Sequence, residues 1–140
     1  MIQRIQTLFL LAATGLLVAM FFIPMCYVDS EGSKIFYHEY MPLFSLLMVS
    51  AILSIINIFS YKNRLRQIRT CNLNAIILLG FQIYIAVLIF TRTEMRFSIT
   101  AVFPAVAAIL TFIGMRYVAR DEAMVRASSS LRDYNRKKRK

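Results

Sequence analysis

Polar side chains set inside long apolar runs are the places where this chain could do chemistry, because polar groups in an apolar interior are costly to keep. Ser50, Ser54 and Asn57 recur at i, i+4 and i+7, which puts them on one helix face. Such a face either lines a solute pathway or hydrogen-bonds to backbone and to a neighbouring helix. Gln82 and Tyr84, with Gly80 close by, come next, and a single amide suits an interhelical tie better than a ligand site. His38 beside Glu39 invites a proton-relay reading but has no nucleophile or second ligand near it in sequence. Cys26 and Cys71 lie near opposite ends of separate apolar runs, whereas a disulfide needs Cα atoms within about 7 Å. Neither cysteine has a His or a second Cys beside it. The sequence holds no paired acids, metal-ligand cluster or Ser/His/Asp set at a common depth. The expectation is therefore no catalytic residue, no metal and no cofactor.

The elements that must position these residues are four apolar runs, at about 5–27, 41–60, 73–91 and 98–119. A helix rising about 1.5 Å per residue needs roughly 20 apolar residues to cross a hydrocarbon core of about 30 Å. None of the runs contains Asp, Glu or His, and the one basic residue, Arg116, lies at the end of the last. Apolar residues make up 59% of the chain and the mean hydropathy is +0.60, which disorder and a soluble bundle with polar faces do not fit. The first run is too long for a signal peptide, and it ends in bulky Phe22-Ile23-Pro24-Met25-Cys26-Tyr27 where a cleavage site needs small residues. The fold class expected is all-α: a polytopic membrane protein, a four-transmembrane-helix bundle whose last helix extends into the cytoplasm. Residues 1–140 would form a single integral-membrane domain, with residues 120–140 a cytoplasmic helix and basic tail.

The net charge of +10 is unevenly distributed. The first connection, with Asp29, Glu31 and Glu39 against Lys34, is acidic, while the second holds Lys62, Arg64, Arg66 and Arg69. The C-terminal end carries Arg116, Arg120, Arg126, Arg132 and the run Arg136-Lys137-Lys138-Arg139-Lys140. With both ends and the second connection in the cytoplasm, fourteen of the seventeen Lys and Arg satisfy the positive-inside rule. The basic excess is thus a topology signal. No nucleic acid partner is expected, since the connections are too short to build a recognition fold.

Several finer expectations follow. Ala101, Ala105 and Ala108 make a small-residue stripe for close helix approach, and Pro104 should kink the fourth helix. Gly15 and Gly80 are candidates for close packing elsewhere. In the first connection, Asp29-Ser30-Glu31-Gly32 is a turn signal flanked by residues suited to a short hairpin. Tyr27, Tyr37 and Tyr40 should sit at headgroup level. After Gly114 neither Gly nor Pro occurs, so the last helix can run on beyond the span, with Glu122–Arg126 as an i, i+4 pair. Met124, Ala127 or Ser128, and Leu131 give that extension a narrow apolar stripe. Its terminal basic run would gain about 1 kcal/mol per charge near anionic lipid.

The opening Met1 to Ala13, the block Tyr61-Lys62-Asn63-Arg64 with Gln67-Ile68-Arg69, Leu73-Asn74, and Asp121-Glu122 with Val125-Arg126 and Leu131-Arg132 together resemble one group. This is the domain of unknown function family 4293, small four-span membrane proteins of Bacteroidetes, and the resemblance covers essentially the whole chain. Its most specific part has the pattern D-E-x-L-V-R-S-x-D-R-L-R. Asp121, Glu122, Val125, Arg126, Leu131 and Arg132 match it, Met124 stands for Leu, and Ala127, Ser129 and Ser130 replace its S, D and R. The resemblance implies a bacterial inner-membrane location and no reaction.

The reading that follows is a non-catalytic accessory or scaffold that binds a partner or anionic lipid headgroups through a basic cytoplasmic face. Arg64, Arg66, Arg69, Asp121, Glu122, Arg126 and Arg132 are the candidate contacts. The partner would be another membrane protein or a second copy. The alternative is a small oligomeric transporter or channel. Small multidrug exporters carry an acid in the first span where this chain offers only Thr7 and Thr14, which argues against proton-coupled export.

Overall fold

The structure, a computed structural model, describes residues 2–28 and 32–140, so the expected turn at Asp29, Ser30 and Glu31 lies outside the described residues. Four long helices carry the fold: α1 (Ile2–Phe22), α2 (Met41–Phe59), α3 (Arg64–Thr91) and α4 (Phe103–Lys138). All four are long and apolar enough to cross a membrane. They alternate in direction, and α4 packs most extensively on α3 and α1 while α2 packs on α1 and α3. The start of α1 and the C-terminal part of α4 therefore lie at the same end of the bundle, the terminal end. At the other, the sheet end, three short strands form a cap.

Proline sets three of the helix boundaries. Pro24 follows Ile23, and because the residue before a proline is pushed out of the helical region, α1 stops at Phe22. Pro42 and Pro104 fall in the first turns of α2 and α4. There the missing N–H breaks no ladder and the fixed φ suits a helix start. The expected kink at Pro104 is thus replaced by a helix beginning, preceded by a 3₁₀ turn at Ile99–Val102. The small-residue stripe shifts accordingly. Ala101 lies in that turn, and the buried face of α4 runs through Ala107, Ala108, Thr111, Gly114 and Val118. A methyl group on Gly114 would meet Leu10 at 3.5 Å, so α1 and α4 approach closely here. Gly15 and Gly80 have no such neighbours within 4 Å and face outward, so they do not serve the close packing expected of them.

The cap comprises β1 (Cys26–Val28), β2 (Lys34–Ile35) and β3 (Met95–Phe97), all antiparallel, in the order β2-β1-β3. The expected hairpin forms β1 and β2, with Gly32 at φ +63 allowing the tight return. The third strand comes from the connection between α3 and α4, whose alternation over three residues is too short to read from sequence. Of the three tyrosines at this end, Tyr37 is buried beneath the cap, Tyr40 is half-buried and Tyr27 is exposed. The Tyr37 hydroxyl donates to Thr100 Oγ1 at 3.1 Å, and Thr100 Oγ1 donates to the Pro24 carbonyl at 3.2 Å. This chain of bonds ties the entries to α2 and α4 to the end of α1.

The bundle is apolar outside and mixed inside. Leu8, Phe22, Ile76, Ile83, Phe90 and Ile109 all project outward with at least half their surface exposed, a surface that suits a multi-pass membrane protein. Inside, the half toward the cap is built from Leu17, Met20, Leu43, Leu47, Leu78, Phe81 and Ile85, each at 0% exposure. The half toward the terminal end buries Gln6, Ser50, Ser54, Asn57, Ser60, Gln67 and Asn74.

Candidate functional site

Polar chemistry concentrates at the terminal end, in two adjoining regions. The first is the surface where the connection between α2 and α3 meets the flank of α4. After a 3₁₀ turn at Ser60–Lys62, α3 begins at Arg64. α4 passes beside it, and Arg64 Nη2 stands 3.3 Å from Asp121 Oδ2, with side-chain exposures of 27% and 18%. One turn further on, Arg126 Nε donates to Glu122 Oε1 at 3.1 Å. Arg66 Nε donates to Ser60 Oγ at 3.2 Å and so braces the connection. Arg64, Arg66, Arg69 and Glu122 share one shallow groove. Six of the seven residues singled out from sequence therefore lie in one neighbourhood. Arg132 does not: it is some three turns along α4, about 15 Å from Glu122 by helical rise, and shares a surface with Arg136 and Arg139. Asp121 and Glu122 each neutralise one guanidinium, so Arg66 and Arg69 leave the groove with a positive balance.

From Ala123 to Lys140 every residue is exposed, so the extension of α4 lies against no other part of the described chain. Its exposed apolar residues are Met124, Val125, Leu131 and Tyr134.

The second region is the buried polar layer just above this surface. Asn74 Nδ2 donates to Ser54 Oγ at 2.8 Å, and Gln67 Nε2 donates to the Asn57 carbonyl at 3.1 Å, so two amides of α3 tie it to α2. Ser50 donates to the Leu47 carbonyl on its own helix. The Ser50–Ser54–Asn57 face thus makes both kinds of bond that its spacing allowed. Gln82 lies in neither region: its Oε1 accepts from the Ala105 N–H at 3.2 Å. That N–H belongs to the first turn of α4, where no helix carbonyl can reach it, so Gln82 caps α4 from a neighbouring helix.

Gln6, Gln67 and Asn74 were missed as interior residues. Gln67, Cys71 and Asn74 have the same i, i+4, i+7 spacing as the face they meet, which was the available signal. That spacing is hidden because α3 begins nine residues before the apolar run. Its first turns, Arg64 to Asn72, read as a polar connection.

Elsewhere the chemistry is sparse. His38 is exposed and stacks on Phe36, with ring centroids 5.4 Å apart. Both cysteines are buried and free, and no group of three His, Cys, Asp or Glu able to hold a metal occurs among the described residues. At the cap, burial pushes the Cys26 thiol up, helped by the Glu39 charge. Its Sγ approaches Met95 Sδ at 3.8 Å. Burial pushes Tyr37 up to about 12, against a smaller lowering by its bond to Thr100.

No curated protein and no solved structure matches the chain. A family model described as Domain of unknown function (DUF4293) matches residues 2–131, nearly the whole length. The chain belongs to this family, domain of unknown function 4293.

Proposed function

We propose that the protein is a non-catalytic accessory or scaffold of the bacterial inner membrane, with both ends in the cytoplasm, that holds an acidic partner on the basic surface of α4. The observation that carries this reading is the extension of α4, an unbroken helix to Lys138 that lies against nothing else in the described chain. An exposed helix with a narrow apolar stripe and a strong positive excess suits a groove or face of opposite charge.

Geometry favours a partner over lipid for the outer part of this helix. From Ala119 to Lys138 the rise is about 28 Å, several times the Debye length of about 8 Å at physiological salt. A tip at that distance no longer feels the headgroups. Arg64, Arg66 and Arg69 stay close to the span and serve anionic lipid, while Arg126 and Arg132 face the partner. The Arg64–Asp121 pair holds the base of the extension against α3 and so fixes its direction.

The test is cross-linking in native membranes at native expression, followed by identification of what is retained. Arg126→Glu with Arg132→Glu should release the partner while insertion is unchanged. Equal retention by the variant would remove the assignment. Cross-links only between copies would move the weight to an oligomeric transporter or channel.

A further inference from the structure

The buried polar layer is not fully paired. Asn57 is at 0% exposure, yet neither its Nδ2 nor its Oδ1 has a hydrogen-bond partner among the described residues. The same holds for Oδ1 of Asn74, also at 0%, and for Nε2 of Gln6, at 6%. Buried amide atoms are nearly always satisfied, and leaving several open in one layer is costly.

Helix register sets these atoms at a common depth. Asn74 bonds Ser54, and Asn57 is one turn from Ser54 on the same buried face of α2. The register of α1 follows from Phe21, whose ring packs edge-on against Phe44 at 6.4 Å. Counting equal steps toward the terminal end from each ring brings Gln6 level with Phe59, within a turn of Asn57. Gln6 also follows the inward stripe of α1 through Leu10, Ala13 and Leu17. The small residues Cys71 and Gly114 belong to the same layer on α3 and α4. Toward the cap, Leu17, Leu47 and Leu78 close the interior.

The open atoms comprise amide N–H donors on Asn57 and Gln6 and amide oxygens on Asn57 and Asn74. A cation would satisfy the oxygens but face the N–H groups, and an anion would do the reverse. A neutral ligand that both donates and accepts satisfies all of them, and buried water characteristically takes two to four such partners. We propose that Gln6, Asn57 and Asn74 form an internal water site that joins α1, α2 and α3 in the terminal half of the bundle. Bridged in this way, the three helices share a polar contact that the Asn74–Ser54 and Gln67–Asn57 bonds, which join α2 to α3, do not supply.

Water-edited solid-state NMR of the full chain in bilayers tests this, with Asn and Gln side-chain nitrogens labelled and Asn57→Leu and Asn74→Leu used for assignment. Magnetisation should pass from water to the Asn57 and Asn74 amides with build-up comparable to that of exposed Asn135. No transfer to either amide would overturn the site, as would a contact from Asn57 to a carbon outside the protein, which would mark an organic solute as the occupant. Thermal unfolding gives a second readout of opposite sign for the two cases. Asn57→Leu should lower the midpoint if the amide holds water, whereas a raised midpoint would mean that the amide was simply unsatisfied.

Discussion

Exchanging Arg64 and Asp121 should show directional energetics. Their charged atoms stand 3.3 Å apart and both side chains are partly screened, at 27% and 18% exposure. Coulomb's law at this separation gives about 1.3 kcal/mol in bulk water and about 5 kcal/mol at an effective dielectric of 20. Measured couplings of exposed pairs fall at about 0.2–1 kcal/mol, so this half-shielded pair should couple by about 1 kcal/mol. The two single reversals should differ. Arg64 opens α3, and the N-terminal end of a helix favours negative charge by about 0.3–1 kcal/mol. Arg64→Glu therefore gains from the helix part of what it loses by facing Asp121. Asp121→Arg sets two guanidiniums together at that same positive end and should be the more damaging variant. Combining both reversals should recover most of the loss, and 1 M salt should shrink the coupling as screening shortens to about 3 Å. Reversible unfolding in detergent across the four-variant cycle measures all of this. A double variant as unstable as the sum of the singles would refute the pairing, and equal effects of the singles would refute the role assigned to the helix end.

Two further outcomes follow from the fold. Gln82→Leu should lower unfolding stability by about 1–3 kcal/mol, because the Ala105 N–H at the start of α4 loses its acceptor in an apolar setting; an unchanged midpoint would mean that the bond contributes nothing. Tyr37 holds its proton up to about pH 12 when folded, against an ordinary value of 10.0. The unfolded chain therefore releases this proton first as pH rises. The stabilising contribution is complete below pH 10.0 and is lost between there and about 12. Melting temperatures of wild type and Tyr37→Phe followed over this interval should converge or cross as the wild type weakens, and a constant gap would contradict the burial of the ring.

Legibility varied with the physical origin of each feature. Apolar run length located all four helices, because hydrocarbon thickness sets a minimum that no other element in this chain approaches. Helix boundaries were less legible. α3 starts with Arg64-Leu65-Arg66-Gln67, a polar turn that no hydropathy pattern assigns to a helix, although its backbone continues the same ladder. The apolar run begins at Ser98 and so places Pro104 inside a helix on pattern alone, whereas a 3₁₀ turn occupies the intervening residues. The i, i+4 spacing of Glu122 and Arg126 led directly to their ion pair, which is local to one helix. The Arg64–Asp121 pair could not be foreseen, since it joins residues brought together only by the packing of α4 on α3.

The sequence by itself determined the number of helices, their alternation and the accumulation of positive charge at the end carrying both termini. These depend on length, local spacing and composition, quantities that a linear chain carries without reference to its partners. Tertiary structure decided which face of each helix turns inward. The apolar residues leave that choice open, because nearly every face of these helices is apolar enough to meet lipid. Packing turned Gln6, Asn57, Gln67 and Asn74 to a common interior and Ile76, Ile83 and Phe90 to the outside. Amides prefer one another to hydrocarbon, and only the assembled bundle lets residues from three helices act on that preference.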